Sequence, residues 1–215
     1  MSERVASIPR AAASAEPVSL PEAVATESGR ALALRVEAAL AGRENSRGES
    51  RIILVAGLET PGWGSAVQLA AAYAALGWET VAARLAATGD TQSAAGARAA
   101  ARASGPGTPR ELGTEALQPT TVPHLSVVSP QLVSEIATAL PRRQVVLLEA
   151  LAKACDRLVV ALPVRAPAIP HIAASSDAAI LALRPGKTTR SAAMEAKTLL
   201  ETAGAPLVGA VLSDG

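Results

Sequence analysis

RIILVAGLETPGWGSAVQLAAAYAALGWETVAARLA, residues 51–86, is the stretch on which the reading of the whole chain turns. It opens with a short apolar run, RIILVA, of the kind that a strand buried on both faces requires. A Gly/Pro-rich turn, GLETPGWG, follows, and then an apolar segment at 65–76 that is long enough for a helix. Gly77 is placed to stop that helix. A second strand is expected at 80–85. The stretch therefore spells strand, turn, helix, strand, which is one βαβ unit.

The alternation continues downstream. A short strand is expected at 125–128, helices at 131–140 and 145–154, and a strand at 158–162. A Pro-rich loop runs to Pro170, followed by a strand at 178–183, a helix at 189–203 and a strand at 207–212. Near-continuous apolar strands such as RLVVAL and AAILAL need cover on both sides. The expected fold is therefore α/β, a mostly parallel sheet with helices on both faces. Residues 88–114, rich in Ala, Gly, Ser, Thr and Pro, read as a long loop with one short helix at 94–103. Upstream, ESGRALALRVEAALA (27–41) places Ala31, Leu34, Ala38 and Ala41 at helical spacing, and GRENSRGES reads as a linker. Pro9, Pro17 and Pro21 interrupt the N-terminal segment. The expected organisation is a disordered tail over 1–26, a helix and linker over 27–48, and one domain over 49–215.

Composition narrows the chemistry. The 215 residues include 50 alanines, no Phe, one Tyr (Tyr73) and two Trp, and 49% are apolar, enough for a sizeable core. The three lysines are Lys153, Lys187 and Lys197, so residues 1–152 hold none. The four aspartates are Asp90, Asp156, Asp177 and Asp214. Few metal sites or phosphate clamps can be assembled from that inventory. With a formal charge of +1 and scattered basic residues, no nucleic-acid partner is expected. One cysteine, Cys155, excludes an intramolecular disulfide and suits a reducing compartment. No apolar run reaches the roughly 18 residues of a membrane span, and no basic start precedes an apolar block. A cytoplasmic location is expected.

In a parallel sheet, ligands sit beyond the carboxyl ends of the strands, where Gly-rich turns lead into helix N-termini. The turn at 57–65 is that place. A phosphate-binding P-loop needs backbone N–H groups, a lysine for the β/γ charge and a Ser/Thr hydroxyl for Mg²⁺. Here the glycines survive, in Pro61, Gly62, Trp63, Gly64, Ser65, Ala66, Val67, but Ser65 stands for the lysine and Ala66 for the hydroxyl. No shift of register supplies a lysine. The later Gly186-Lys187-Thr188-Thr189 lacks the glycine five positions earlier, which is Leu181. It reads as a tight turn, with Thr188 capping the next helix.

Element order and three stretches of sequence resemble the cytoplasmic domain of bacterial tyrosine kinases (BY-kinases) that control capsular and exopolysaccharide chain length. That family is a branch of the partitioning-ATPase-like P-loop proteins. The turn at 61–67 is similar to the family's PGEGKST, and EALQPTTVPHLSVVSP (115–130) to its LQPT…VPGLSVLPAG. The most specific match is DAAILALRPGKTTRSAAMEAKTLLETAGAPLVGAVLSDG (177–215), similar to DGVLLVVRAGKTTREAL…LLE.AGA.VLGVVLNG. The resemblance implies a P-loop NTPase-like fold over most of the chain from Glu27 onward.

The departures fall on the chemistry. The family closes its second strand with an aspartate pair, where VAARLA puts Arg84 and Ala86. It ends a later strand in VIIDTPP, where LVVALPV puts Ala161 at the acid and keeps Pro163. The family's phosphoacceptor is a tyrosine-rich tail, whereas Tyr73 falls inside a predicted apolar helix. Phosphoryl transfer rests on positioning and charge stabilisation, so losing the lysine, the hydroxyl and three acids removes most of it. Active members also carry an E-x-x-R-x-x-R element for subunit contacts in a ring, which Glu27 and Arg30 match and Ala33 does not. It is read equally as an interface, implying a homo-oligomer, and as a solvated helix face.

The expected function is a catalytically inactive BY-kinase-like domain, a regulatory or scaffolding partner in exopolysaccharide or capsule biosynthesis and export. By resemblance, its partner is a membrane-anchored polysaccharide co-polymerase or an active paralogue, reached at the inner face of the membrane. No catalytic residue, metal or cofactor is expected, beyond a vestigial ATP site at Pro61, Gly62, Gly64, Ser65 and Ala66. One alternative is an active or nucleotide-binding autokinase or ATPase with a non-standard phosphate site that uses Arg84. Another is a partitioning-ATPase-like scaffold unrelated to polysaccharide. His124 and His171 read as surface histidines, Cys155 as a small buried residue, and Trp63 as filling space in the old phosphate turn.

Overall fold

The computed structural model describes residues 17–20, 25–41, 50–58, 62–85 and 116–212. Their order is α1 (Glu27–Leu40), β1 (Arg51–Gly57), α2 (Trp63–Ala75), β2 (Thr80–Arg84), β3 (Leu117–Pro119), β4 (Leu125–Val128), α3 (Pro130–Thr138), α4 (Pro141–Ala152), β5 (Arg157–Pro163), α5 (Ile169–Ser175), β6 (Ala178–Leu183), α6 (Arg190–Thr202) and β7 (Leu207–Leu212). The helix expected at 94–103 lies outside the described residues.

The strands form a seven-stranded sheet in the order β3-β4-β2-β5-β1-β6-β7. Every pairing is parallel except β3 with β4. β5 is the central strand and β1 lies beside it, and from this pair the chain leaves in opposite directions: from β1 past β5 to β2 by way of α2, and from β5 past β1 to β6 by way of α5. That reversal opens a crevice at the carboxyl edge of β1.

Alternate residues of β1 serve two cores, as a strand covered on both faces requires. Ile53 and Val55 join Ala33, Val36, Tyr73 and Ile180 beneath α1 and α2. Ile52, Leu54 and Ala56 join Leu148, Leu162, Ile172 and Leu200 beneath α3 to α6. Helix α2 is apolar almost all round because it is sandwiched, with the sheet beneath and α1 above. A Cβ on Gly29 would stand 3.2 Å from the Gln68 carbonyl oxygen and 3.6 Å from the Ala72 methyl, so the two helices meet across small residues.

Several expectations are corrected. The apolar stripe assigned to α1 faces solvent: Ala31, Leu34, Ala38 and Ala41 are exposed, and the buried face is Gly29, Ala33, Val36 and Leu40. Helix α2 begins at Trp63, two residues before the expected start, because Gly62 takes the left-handed conformation and turns the chain directly into it. Strand β3 and helix α5 were not expected; each is short and carries a proline, Pro119 and Pro170, that reads as a breaker. The cap of α6 is Thr189, whose hydroxyl accepts from Ala192 N–H, while Thr188 accepts from Arg184 N–H within the turn. Most of the segment expected as a tail lies outside the described residues; within 17–20, Val18 donates to the Pro119 carbonyl and accepts from Thr121 N–H.

Candidate functional site

At the carboxyl edge, β1 ends between its neighbours. Gly57 pairs with Pro163 of β5 and Ala182 of β6. Its carbonyl accepts from Val164 N–H at 2.8 Å. Of the phosphate-turn residues, Pro61 lies outside the described residues. Gly62 is the N-cap of α2, at φ 67° and ψ 25°. A Cβ there would meet the Ala182 methyl at 3.1 Å and Val55 Cγ1 at 3.2 Å, so both conformation and space demand glycine. Trp63, Gly64 and Ser65 form the first turn of the helix. It carries no acidic residue, and no side chain caps it, so the helix presents its positive end at this edge.

The side chains in this cradle are the wrong ones for a metal-bound nucleotide. Ser65, 4% exposed, has a hydroxyl without a hydrogen-bond partner among the described residues, and Ala66 offers a fully buried methyl. Arg84 is exposed at the end of β2, directly across from buried Ala161 of β5. Ala86 is outside the described residues. An arginine and a methyl therefore face each other where a Mg²⁺ site needs oxygen ligands. Trp63 is half-buried and packs against the core beneath α1 and α2.

Two of the four aspartates sit at the opposite edge. Asp156 accepts from Glu79 N–H at 2.9 Å and Asp177 from Ile52 N–H at 2.7 Å, so both tie down strand starts. Asp90 and Asp214 are outside the described residues, among which no three His, Cys, Asp or Glu side chains gather to hold a metal. Lys153 ends α4, Lys187 stands in the turn after β6, and Lys197 pairs with Glu201 at 3.2 Å. The described residues do not fit a Mg²⁺-nucleotide.

Tyr73 is fully buried, and its hydroxyl donates to the Ala33 carbonyl at 3.4 Å. Burial, with Glu37 beside it, pushes the phenol well above its ordinary pKa. A phosphoacceptor needs a reachable hydroxyl, and this one is closed off. Burial likewise pushes the Cys155 thiol up to about 12, so it is an inert core residue. His171 is exposed, and His124, at φ 63°, places Nδ1 2.7 Å from Glu79 Oε1, a pairing with no trace in local sequence.

Glu27 and Arg30 are both exposed on α1, one turn apart. Ala33 is fully buried against α2, so an arginine completing that element would have no room in this packing. A cavity that sequence reasoning missed, about 330 Å³, opens beside the same edge, lined by Leu85, Ala139, Gln144, Leu162 and Ala168 among others. Gln144 Oε1 is buried there without a partner. No spacing in the sequence marks it, because its walls come from two helices, two strand ends and the loop at 166–168.

No family model matches the sequence, and no curated protein matches it. Among solved structures, the chain is similar to the chimerical protein CapA2B2, with 18% identity over 88% of this chain and 84% of that one, at a TM-score of 0.64. It is similar to the kinase domain of the Escherichia coli tyrosine kinase ETK, with 18% identity over 87% and 74%, at a TM-score of 0.61. The BceF tyrosine kinase domain matches with 22% identity over 86% and 76%, at a TM-score of 0.55. Sheet order, glycine turn and these likenesses agree: the chain has the P-loop NTPase-like α/β fold of bacterial tyrosine-kinase domains.

Proposed function

We propose that this chain is a catalytically inactive domain of the bacterial tyrosine-kinase type, serving as a scaffolding or regulatory partner in exopolysaccharide or capsule biosynthesis and export. The observation that carries the reading is the cradle itself. Gly62 takes the left-handed conformation at the start of α2, while Ser65, Ala66, Arg84 and Ala161 stand where, by the resemblance, phosphoryl transfer needs a lysine, a hydroxyl and acids. Buried Tyr73 supports it from the acceptor side. The partner is the cytoplasmic segment of a membrane-anchored polysaccharide co-polymerase, or an active paralogue, and the exposed pair Glu27 and Arg30 on α1 is the surface offered to it. Among the described residues no helix is long and apolar enough to cross a membrane; contact with the inner membrane face through that partner is part of the proposal.

The test is genetic complementation. Deleting the gene is expected to lower or shorten the surface polysaccharide, and a Tyr73→Phe copy is expected to restore it as fully as the wild type. An unchanged polymer after deletion would overturn the pathway assignment. A requirement for the Tyr73 hydroxyl in a variant that still folds would overturn the inactive reading.

A further inference from the structure

The cavity beside the carboxyl edge is separate from the glycine turn. It lies on the other face of the sheet: Leu85, Leu162, Ala166 and Ala168 belong to the core beneath α3 to α6, whereas Trp63 and Ala66 of α2 belong to the core beneath α1 and α2. Of the ten described residues that line it, eight are apolar and none is charged. The two polar ones differ. Thr138 has its hydroxyl engaged, donating to the Ser134 carbonyl at 2.9 Å. Gln144 is 7% exposed, and its Oε1 is enclosed without a hydrogen-bond partner among the described residues. Its backbone N–H donates to the Leu140 carbonyl at 3.0 Å, which holds the residue in the first turn of α4. A buried amide oxygen with no donor is destabilising, and a leucine of similar size would fill the place without that penalty.

We propose that this cavity binds an uncharged, largely apolar small molecule carrying an N–H or O–H donor, and that Gln144 accepts that donor. At about 330 Å³, it stands at the lower end of the range of small-molecule sites, about 300–1,000 Å³. With no charged side chain in the described lining, an anion or a cation would lose its water without meeting a counter-charge. An apolar body instead meets alanine, leucine and proline walls. The last torsion of a glutamine side chain is soft, so a turn about the Gln144 Cγ–Cδ bond brings the enclosed oxygen toward the cavity that this side chain lines. A donor on the ligand then satisfies the oxygen that the fold leaves unpaired. Such a ligand neither requires nor excludes a nucleotide at the glycine turn.

An NMR titration of the ¹⁵N-labelled full chain with indole tests it, with 1-methylindole as the matched probe that lacks the donor. Indole is expected to shift the amides of Leu85, Ala139, Gln144 and Ala168 saturably, and 1-methylindole to bind about tenfold more weakly. Gln144→Leu is expected to leave the ligand-free melting temperature unchanged or higher, and to bring the two probes within about twofold of each other. Ala139→Trp, at the rim, is expected to fill the cavity and abolish the shifts from both probes, and it serves if Gln144→Leu fails to fold. Absence of saturable shifts at these residues, or equal affinity of the wild type for the two probes, overturns the proposal. A lower melting temperature for Gln144→Leu with the discrimination between probes retained would mark Gln144 as a structural residue and overturn its role.

Discussion

Gly62 holds the site's geometry by two independent means. Its φ of 67° is one that an L side chain adopts only with strain, and the space where a Cβ would project is taken by Ala182 and Val55. Gly62→Ala is expected to lose about 2 kcal/mol of stability, read as a lower urea midpoint with an unchanged slope. An unshifted midpoint would mean that the turn is not strained. This glycine was legible in the sequence because strand, glycine turn and apolar helix occur in that order. Ser65 and Ala66 were legible too, as departures from a pattern with fixed requirements. The pairing of His124 with Glu79 and the orphaned Gln144 oxygen were not, because each depends on segments brought together only by the folded sheet.

Elements were legible where one force dominated. The buried strands β1, β5 and β6 follow from continuous apolar runs. Helix α1 was found, but its inward face was misread: hydropathy selects Leu34, whereas packing against α2 selects residues small enough for close approach, Gly29 and Ala33. What anchors α1 is also polar. The buried Arg157 guanidinium donates to both Glu37 carboxylate oxygens at 2.8 Å and stacks 4.0 Å from the centre of the Trp78 ring. Glu37→Ala would remove a two-point carboxylate contact from a guanidinium that is 5% exposed, with an expected loss of about 3 kcal/mol in urea unfolding followed by circular dichroism. A loss under about 1 kcal/mol, the range of a surface pair, would contradict that role for the contact.

At the scale of the molecule, the scarcity of lysine and aspartate becomes a matter of position. Two aspartates tie strand starts at the amino edge, and the carboxyl edge of the central strands holds arginines. The parallel strands β1, β2, β5 and β6 all end at one edge of the sheet, so a handful of substitutions there changes the whole site while the two cores stay intact. That is why the fold could be read from apolar alternation, whereas which strand ends share an edge required strand order and direction. The most direct measurement is phosphate release from Mg²⁺-ATP by the purified full chain. No release above the protein-free rate is the predicted result, and it should persist when Arg84 is replaced. Turnover that disappears with Arg84→Ala would contradict the account.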